Sequence, residues 1–252
     1  MSAPKLLGDN LLETATSVTT STIASGSTAT RLYDRAKSPL CTAGGSAAEW
    51  QIKVDLSASP SALTEFSLHA HNFSVVGITL ESSPDDITYT VRDTFTGVSG
   101  TDVFRTIGTQ TIRYWMLRVP SFSGTPAIGE FFLGAAVSIS VEPAYDPGPQ
   151  DVREGNVAMV ESVGGVVRKV RLGTMRRGFG WTWNVLPGAD WDNLTTWFED
   201  VGEGAKQFPL LDVDGSARWV ELVTPRLEAR RVHKLADGTF LRVVALTFRE
   251  GL

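Results

Sequence analysis

The sequence predicts a mainly β protein of two units: an N-terminal jelly-roll sandwich and a C-terminal β-barrel that carries one short helix. Three observations predict it. Short segments rich in β-branched and aromatic residues recur through the first 142 residues, bounded by Gly, Pro, Ser or Asp, with no helical period of 3.6. The stretch EPAYDPGPQDV, Glu142 to Val152, gathers three prolines and a glycine and separates an acidic half from a balanced one. A single amphipathic stretch, GADWDNLTTWFEDV, stands among the β-rich runs of the second half.

Taken in order, residues 1–24 are predicted as an N-terminal arm. Residues 12–30 are rich in Ser and Thr, a composition that fits an extended arm or the β-rich opening of the first unit. The sandwich is predicted over 25–142, from the runs EWQIKVDLS, TEFSLHAHNFSVVGITLES, ITYTVRDTF, RYWMLRVPS and EFFLGAAVSISVE. A linker follows over 143–152, and the barrel over 153–252.

The barrel opens with NVAMVESVGGVVRKVRLGT, two β-rich runs around a glycine turn, which reads as a hairpin. In FGWTWNVLP, strand alternation puts Phe179, Trp181 and Trp183 on one face. Pro187 and Gly188 end that strand, and Asp190 is predicted to cap a helix over 189–201. Trp191, Leu194, Trp197 and Phe198 then share a helix face, and the spacing predicts that the two aromatic faces pack on each other as core. The runs QFPLLDVD, ARWVELVTP, RLEARRVHKL and TFLRVVALTF supply the remaining strands, the last two joined by a turn with Asp-Gly at its tip.

The net charge of −5 lies wholly in residues 1–150, with nine Lys/Arg and fourteen Asp/Glu; residues 151–252 hold fourteen of each. Sequence-specific nucleic-acid binding is not expected from that balance. No run of eighteen apolar residues predicts a membrane span, and the N-terminus lacks a secretory pattern. The single cysteine, Cys41, excludes an intrachain disulfide and any cysteine-based metal cluster.

Few residues point to chemistry. His69 and His71 sit at i and i+2 of an expected strand, which offers two ring nitrogens on one face but no third metal ligand. Cys41 has no recognisable base and reads as an idle thiol, and Asp85-Asp86 reads as a polar turn. No phosphate-binding loop, nucleophile elbow or zinc-protease helix is present, so a non-enzymatic protein without cofactor or metal is expected. The basic run RKVRLGTMRR places Arg168, Lys169, Arg171, Arg176 and Arg177 together. It reads as a solvated strand face, as an intersubunit surface where Arg meets carboxylates of a neighbour, or, against nearby acids, as a nucleic-acid patch.

Three passages, ATRLYDRAKSPLCTAGGSAAEWQIKVDLS, ITLESSPDDITYTV and IRYWMLRV…AIGEFFLG, resemble in order the discoidin (coagulation-factor C-type, galactose-binding-like) sandwich. The usual Asp-Gly turn of that family is here Asp34-Arg35, and the tryptophan expected just after it is absent. The resemblance implies a glycan site in loops at one end, for which Tyr33, Asp34, Arg35, His71 and Arg92 are the candidates. The second unit is similar in its element order to the tail-tube-derived barrel of long-tailed bacteriophages, used by distal tail and baseplate hub proteins. That similarity implies a structural protein of a virion tail tip, assembled in the host cytoplasm as a homo-oligomeric ring of six copies. Such a ring would join the tail tube to the receptor-binding parts, with tube, hub, tape-measure and fibre proteins as partners and Arg168 to Arg177 at the ring interface. A carbohydrate-binding module for host-surface attachment is the alternative, with a weakly bound host glycan as ligand.

Overall fold

A computed structural model describes residues 4–36, 38–45, 49–57, 61–137, 139–143, 152–154, 157–161, 167–171, 176–202, 205–212, 214–223, 226–234 and 240–250, with backbone alone for 152–154, 157–161, 167–171 and 176. The chain is mainly β, as predicted. Its first strands are β1 (Lys5–Leu7), β2 (Ser17–Thr20), β3 (Cys41–Thr42), β4 (Trp50–Asp55), β5 (Leu63–His69) and β6 (Ile78–Ser83). There follow β7 (Thr90–Phe95), β8 (Val103–Gln110), β9 (Tyr114–Val119), β10 (Ala127–Ile128), β11 (Glu130–Gly134) and β12 (Ala136–Val137). The second half adds β13 (Val152–Glu154), β14 (Val157–Glu161), β15 (Val167–Arg171), β16 (Arg176–Leu186) and the helix α1 (Gly188–Asp200). It closes with β17 (Phe208–Leu211), β18 (Ala217–Leu222), β19 (Ala229–Lys234) and β20 (Phe240–Glu250).

Alternation builds the sandwich. In β4, Trp50, Ile52 and Val54 are buried while Gln51, Lys53 and Asp55 face outward. A five-stranded sheet, β2-β4-β9-β6-β7, covers a three-stranded one, β11-β5-β8, with β3 and β10 paired beside them. Ile52, Leu80, Trp115 and Leu117 of the larger sheet pack with Phe66, Leu68, Phe131 and Leu133 of the smaller into one core. The Asp85-Asp86 turn is polar, as expected: Asp85 accepts from the Ile87 and Thr88 amides at 3.0 Å, and these donors hold its carboxyl down at about 2.

An eight-stranded antiparallel sheet, β12-β1-β17-β18-β20-β16-β13 with β19 also on β20, forms the second unit. Helix α1 packs Leu194 and Trp197 into the core made by Phe179, Trp181 and Trp183 of β16, joined by Phe208 and Phe248. The two aromatic faces therefore do meet as core. Asp190 is not the cap: Pro187 holds that position, and Asp190 lies inside the helix, where its carboxylate accepts from the Ser140 amide and hydroxyl at 3.1 and 2.6 Å.

The first 24 residues are not a free arm. β1 lies between β12 and β17 in the second sheet, and β2 extends the sandwich along β4. The sandwich is thus an insertion between β1 and β12, two short strands that pair with each other. A separate apolar cluster of Leu7, Phe132 and Trp219 joins the two units. Most of the expected linker and the tips of both expected second-half hairpins lie outside the described residues. β14 and β15 pair with each other, as the reading of that hairpin requires.

Candidate functional site

Between the sandwich and the second sheet lies a cleft of about 640 Å3, lined by Glu13, Tyr33, Asp34, Lys206, Gln207 and Glu221, with Arg35 at its base. Arg35 organises it. Its φ is +63°, the left-handed region that a glycine would enter without strain, so the Asp34-Arg35 turn keeps the shape of an Asp-Gly turn with a different residue. The guanidinium explains the arginine. It pairs with Glu13, donates to the Gln207 carbonyl at 3.0 Å and the Gly8 carbonyl at 2.9 Å, and lies over the Phe132 ring. One side chain thereby ties the sandwich loop to the chain's first residues and to the segment before β17.

Behind Arg35 sits a buried polar knot. Glu130 accepts from the Arg35 amide at 3.1 Å and from the Asn10 side chain at 3.2 Å. Asn10, itself fully buried, also donates to the Phe131 carbonyl and accepts from the Leu12 and Leu133 amides. Burial pushes the Glu130 carboxyl up to about 9, with Arg35 acting in the opposite direction.

The cleft floor is occupied by its own hydrogen bonds. The Gln207 side chain accepts from the Trp219 indole and donates toward Glu221, which also receives Arg249 at 2.9 Å. Lys206 reaches Glu13 at 3.1 Å and remains two-fifths exposed. The half-buried Tyr33 ring has its hydroxyl without a partner among the described residues. Asp34 accepts from the Ala36 amide at 3.0 Å, and burial raises its pKa. An aromatic surface, a carboxylate and an ammonium with spare hydrogen-bonding capacity therefore converge on one open, polar hollow.

The sandwich is similar to solved carbohydrate-binding modules. Chitosan-binding module 1 of a chitosanase/glucanase from Paenibacillus sp. IK-5 is 20% identical over 49% of this chain and 97% of the module, with a TM-score of 0.44. Module 2 of the same enzyme, in complex with chitotriose, is 14% identical over 50% of this chain and 100% of the module, at 0.45. The lectin domain of lectinolysin, complexed with Lewis B antigen, is 14% identical over 50% of this chain and 96% of the domain, at 0.43. No protein-family model matches the chain, and no curated protein matches it.

Of the five glycan candidates read from the sequence, the structure brings Tyr33, Asp34 and Arg35 to the cleft and leaves the other two elsewhere. His71 lies outside β5, because Ala70 turns the chain at φ +52°. It is buried, stacked on Phe73, and burial lowers its pKa. It therefore does not share a strand face with His69, and no group of metal-ligating residues is found among the described residues. Arg92 is exposed on β7 and donates to the Ser82 hydroxyl at 2.6 Å. Cys41 is buried, and burial pushes its thiol up.

Sequence reasoning missed a trio resembling a catalytic one. Ser67 Oγ lies 2.6 Å from His69 Nε2, and His69 Nδ1 lies 3.1 Å from Asp102. Ser67 and His69 are fully buried, Ser67 Oγ donates to the Val103 carbonyl at 2.6 Å, and the His69 ring packs on Trp219. A hydroxyl so enclosed meets no substrate, and the trio acts as a polar clamp where the sandwich meets the second sheet. The only sequence signal was the alternation of Ser67 and His69 on one strand.

Proposed function

We propose that the protein is a non-catalytic glycan-binding component whose site is the Tyr33 cleft. The observation that carries this reading is the convergence of the Tyr33 ring and hydroxyl, Asp34 and Lys206 on one open hollow held rigid by Arg35. Sugar hydroxyls are both donors and acceptors, and their C–H faces are apolar. A carboxylate and an ammonium beside an aromatic ring match that mixture. Binding at a single shallow site of this kind is weak, so several copies on one surface would raise avidity. The test is titration of neutral, amino and acidic oligosaccharides against wild type and Tyr33→Ala. Saturable binding lost in the variant, with an unchanged melting temperature, is the expected result. Equal binding by both proteins, or none by wild type, would overturn it.

A second reading is favoured by the insertion of the sandwich between β1 and β12. That arrangement joins a sandwich module to a larger antiparallel sheet within one chain. In this reading the chain is a ring-forming structural protein of a bacteriophage tail tip, and the sandwich faces the host surface. Arg168, Lys169 and Arg171 on β15, with Arg176 and Arg177 on β16, are its proposed interface residues. Light scattering of the purified chain, alone and with a tail-tube protein, tests it. A strictly monomeric protein that joins no tail protein would sink it.

A further inference from the structure

A basic surface distinct from the run around Arg171 lies on the β19–β20 hairpin. Arg230, Arg231, His233 and Lys234 are all exposed on β19. Arg231 and Lys234 flank the Phe240 ring at 4.8 and 5.7 Å, and Arg242 lies over Trp191 at 5.5 Å. None of these four Arg and Lys side chains has a carboxylate partner among the described residues. Elsewhere Lys5 pairs with Glu65, Arg113 with Asp55 and Arg218 with Asp212. The strand's outer edge also has no strand partner among the described residues, since β19 pairs only with β20.

The complementary surface is on the same molecule, at the far end of α1. Arg242 over Trp191 places the hairpin at the helix N-terminal end. Exposed Asp9, Glu199 and Asp200 gather at the C-terminal end, about 20 Å away for thirteen residues at ~1.5 Å each. The crowding is felt: after burial, repulsion from Asp9 and Glu199 raises the Asp200 carboxyl, while Lys206 and Arg35 act against it. The acidic C-terminal end runs against the helix dipole, which favours bases there, whereas the first turn holds Asp190, which the dipole favours. The acidic cluster is therefore unfavourable within one chain, and a base from another chain would relieve it.

We propose that the β19–β20 hairpin of one copy docks head to tail on the acidic C-terminal end of α1 of a second copy. Like charges on β19 oppose edge pairing with another β19, and they select an acidic neighbour instead. A contact between two different patches repeats around a ring or along a filament, which a two-fold contact does not. This inference rests on the assembly reading and is independent of the Tyr33 cleft.

Sedimentation velocity across salt concentration tests it, with two charge-reversal variants checked for folding by thermal melts: Arg230→Glu/Arg231→Glu/Lys234→Glu and Glu199→Lys/Asp200→Lys. Wild type is expected to associate at low salt and to dissociate as salt screens the contact. Each variant alone is expected to be monomeric, and an equimolar mixture to associate again, because each supplies the charge the other lost. Association of either variant alone, or a mixture that stays monomeric, overturns this contact while leaving assembly intact. A wild type that is monomeric at every salt overturns both. If that monomer instead binds heparin through the hairpin, the surface serves a polyanion and the proposal falls.

Discussion

At the scale of single residues, the junction between sandwich and sheet depends on a residue that contradicts its own backbone. A left-handed φ costs a non-glycine residue about 1–2 kcal/mol, and Arg35 sustains it through an ion pair and two carbonyl contacts. Arg35→Ala keeps the strain and loses these contacts, so a loss of about 2–3 kcal/mol is expected in urea denaturation. Arg35→Gly loses the same contacts without the strain, and its loss should be smaller by about 1 kcal/mol; equal losses would mean that the turn is not strained. Glu130, beneath Arg35, makes the junction sensitive to pH. Its folded pKa of about 9 stands above the ordinary 4.5, so the folded state holds one proton more than the unfolded state between those values. Stability contributed by this group is therefore full below about pH 4.5 and lost as pH rises toward 9, with a slope of up to ~1.4 kcal/mol per pH unit. Melting temperature followed from pH 5 to 9 should fall more steeply in wild type than in Glu130→Gln, and parallel curves would refute the assignment.

Among the elements, β16 and α1 show how an aromatic face becomes structure. Trp183 is 1% exposed and donates its indole N–H to the Val141 carbonyl at 2.9 Å, while Trp181 meets it edge to face. Trp183→Ala removes that contact and opens a cavity at the centre of the second core. A loss of about 3–5 kcal/mol is expected, read as an early unfolding transition in calorimetry. A variant that melts like wild type would mean the ring is not core. These elements were legible because each carries several turns of its own period, as do β4 and β9. Where the period is short, the pattern gives nothing. β1 is three residues, Lys5 to Leu7, and its partner β17 is some two hundred positions away, so its place in the sheet follows from pairing alone. The candidate site divides in the same way. The resemblance of the Asp34-Arg35 turn to a family loop marked the Tyr33 cleft, but its far wall, Lys206 to Glu221, arrives from the other unit. His71 left its expected strand because Ala70 adopts a positive φ that no alternation rule anticipates. The unmet charge on β19 was hidden for a further reason, since pairing, not composition, decides which arginines are free.

For the molecule as a whole, insertion changes what counts as a unit. The second sheet runs β12-β1-β17, so two of its strands flank the sandwich in sequence and lie side by side in the sheet, with β12 at its edge. Leu6 belongs to the second core and Leu7 to the cluster that joins the units. A fragment of residues 151–252 therefore lacks β1 and β12, leaving the β17 edge unpaired and part of the core uncovered. It is expected not to fold alone, whereas residues 15–135 hold every strand of the sandwich and should fold without the rest. Deleting residues 1–8 from the full chain makes the same cut more gently, because it removes β1 and leaves both sandwich sheets intact. Limited proteolysis of that deletion should release a resistant fragment of the sandwich and digest the region from β13 onward. Equal resistance of both regions would show that the second sheet closes without its first strand, and the inserted arrangement would then be dispensable for stability.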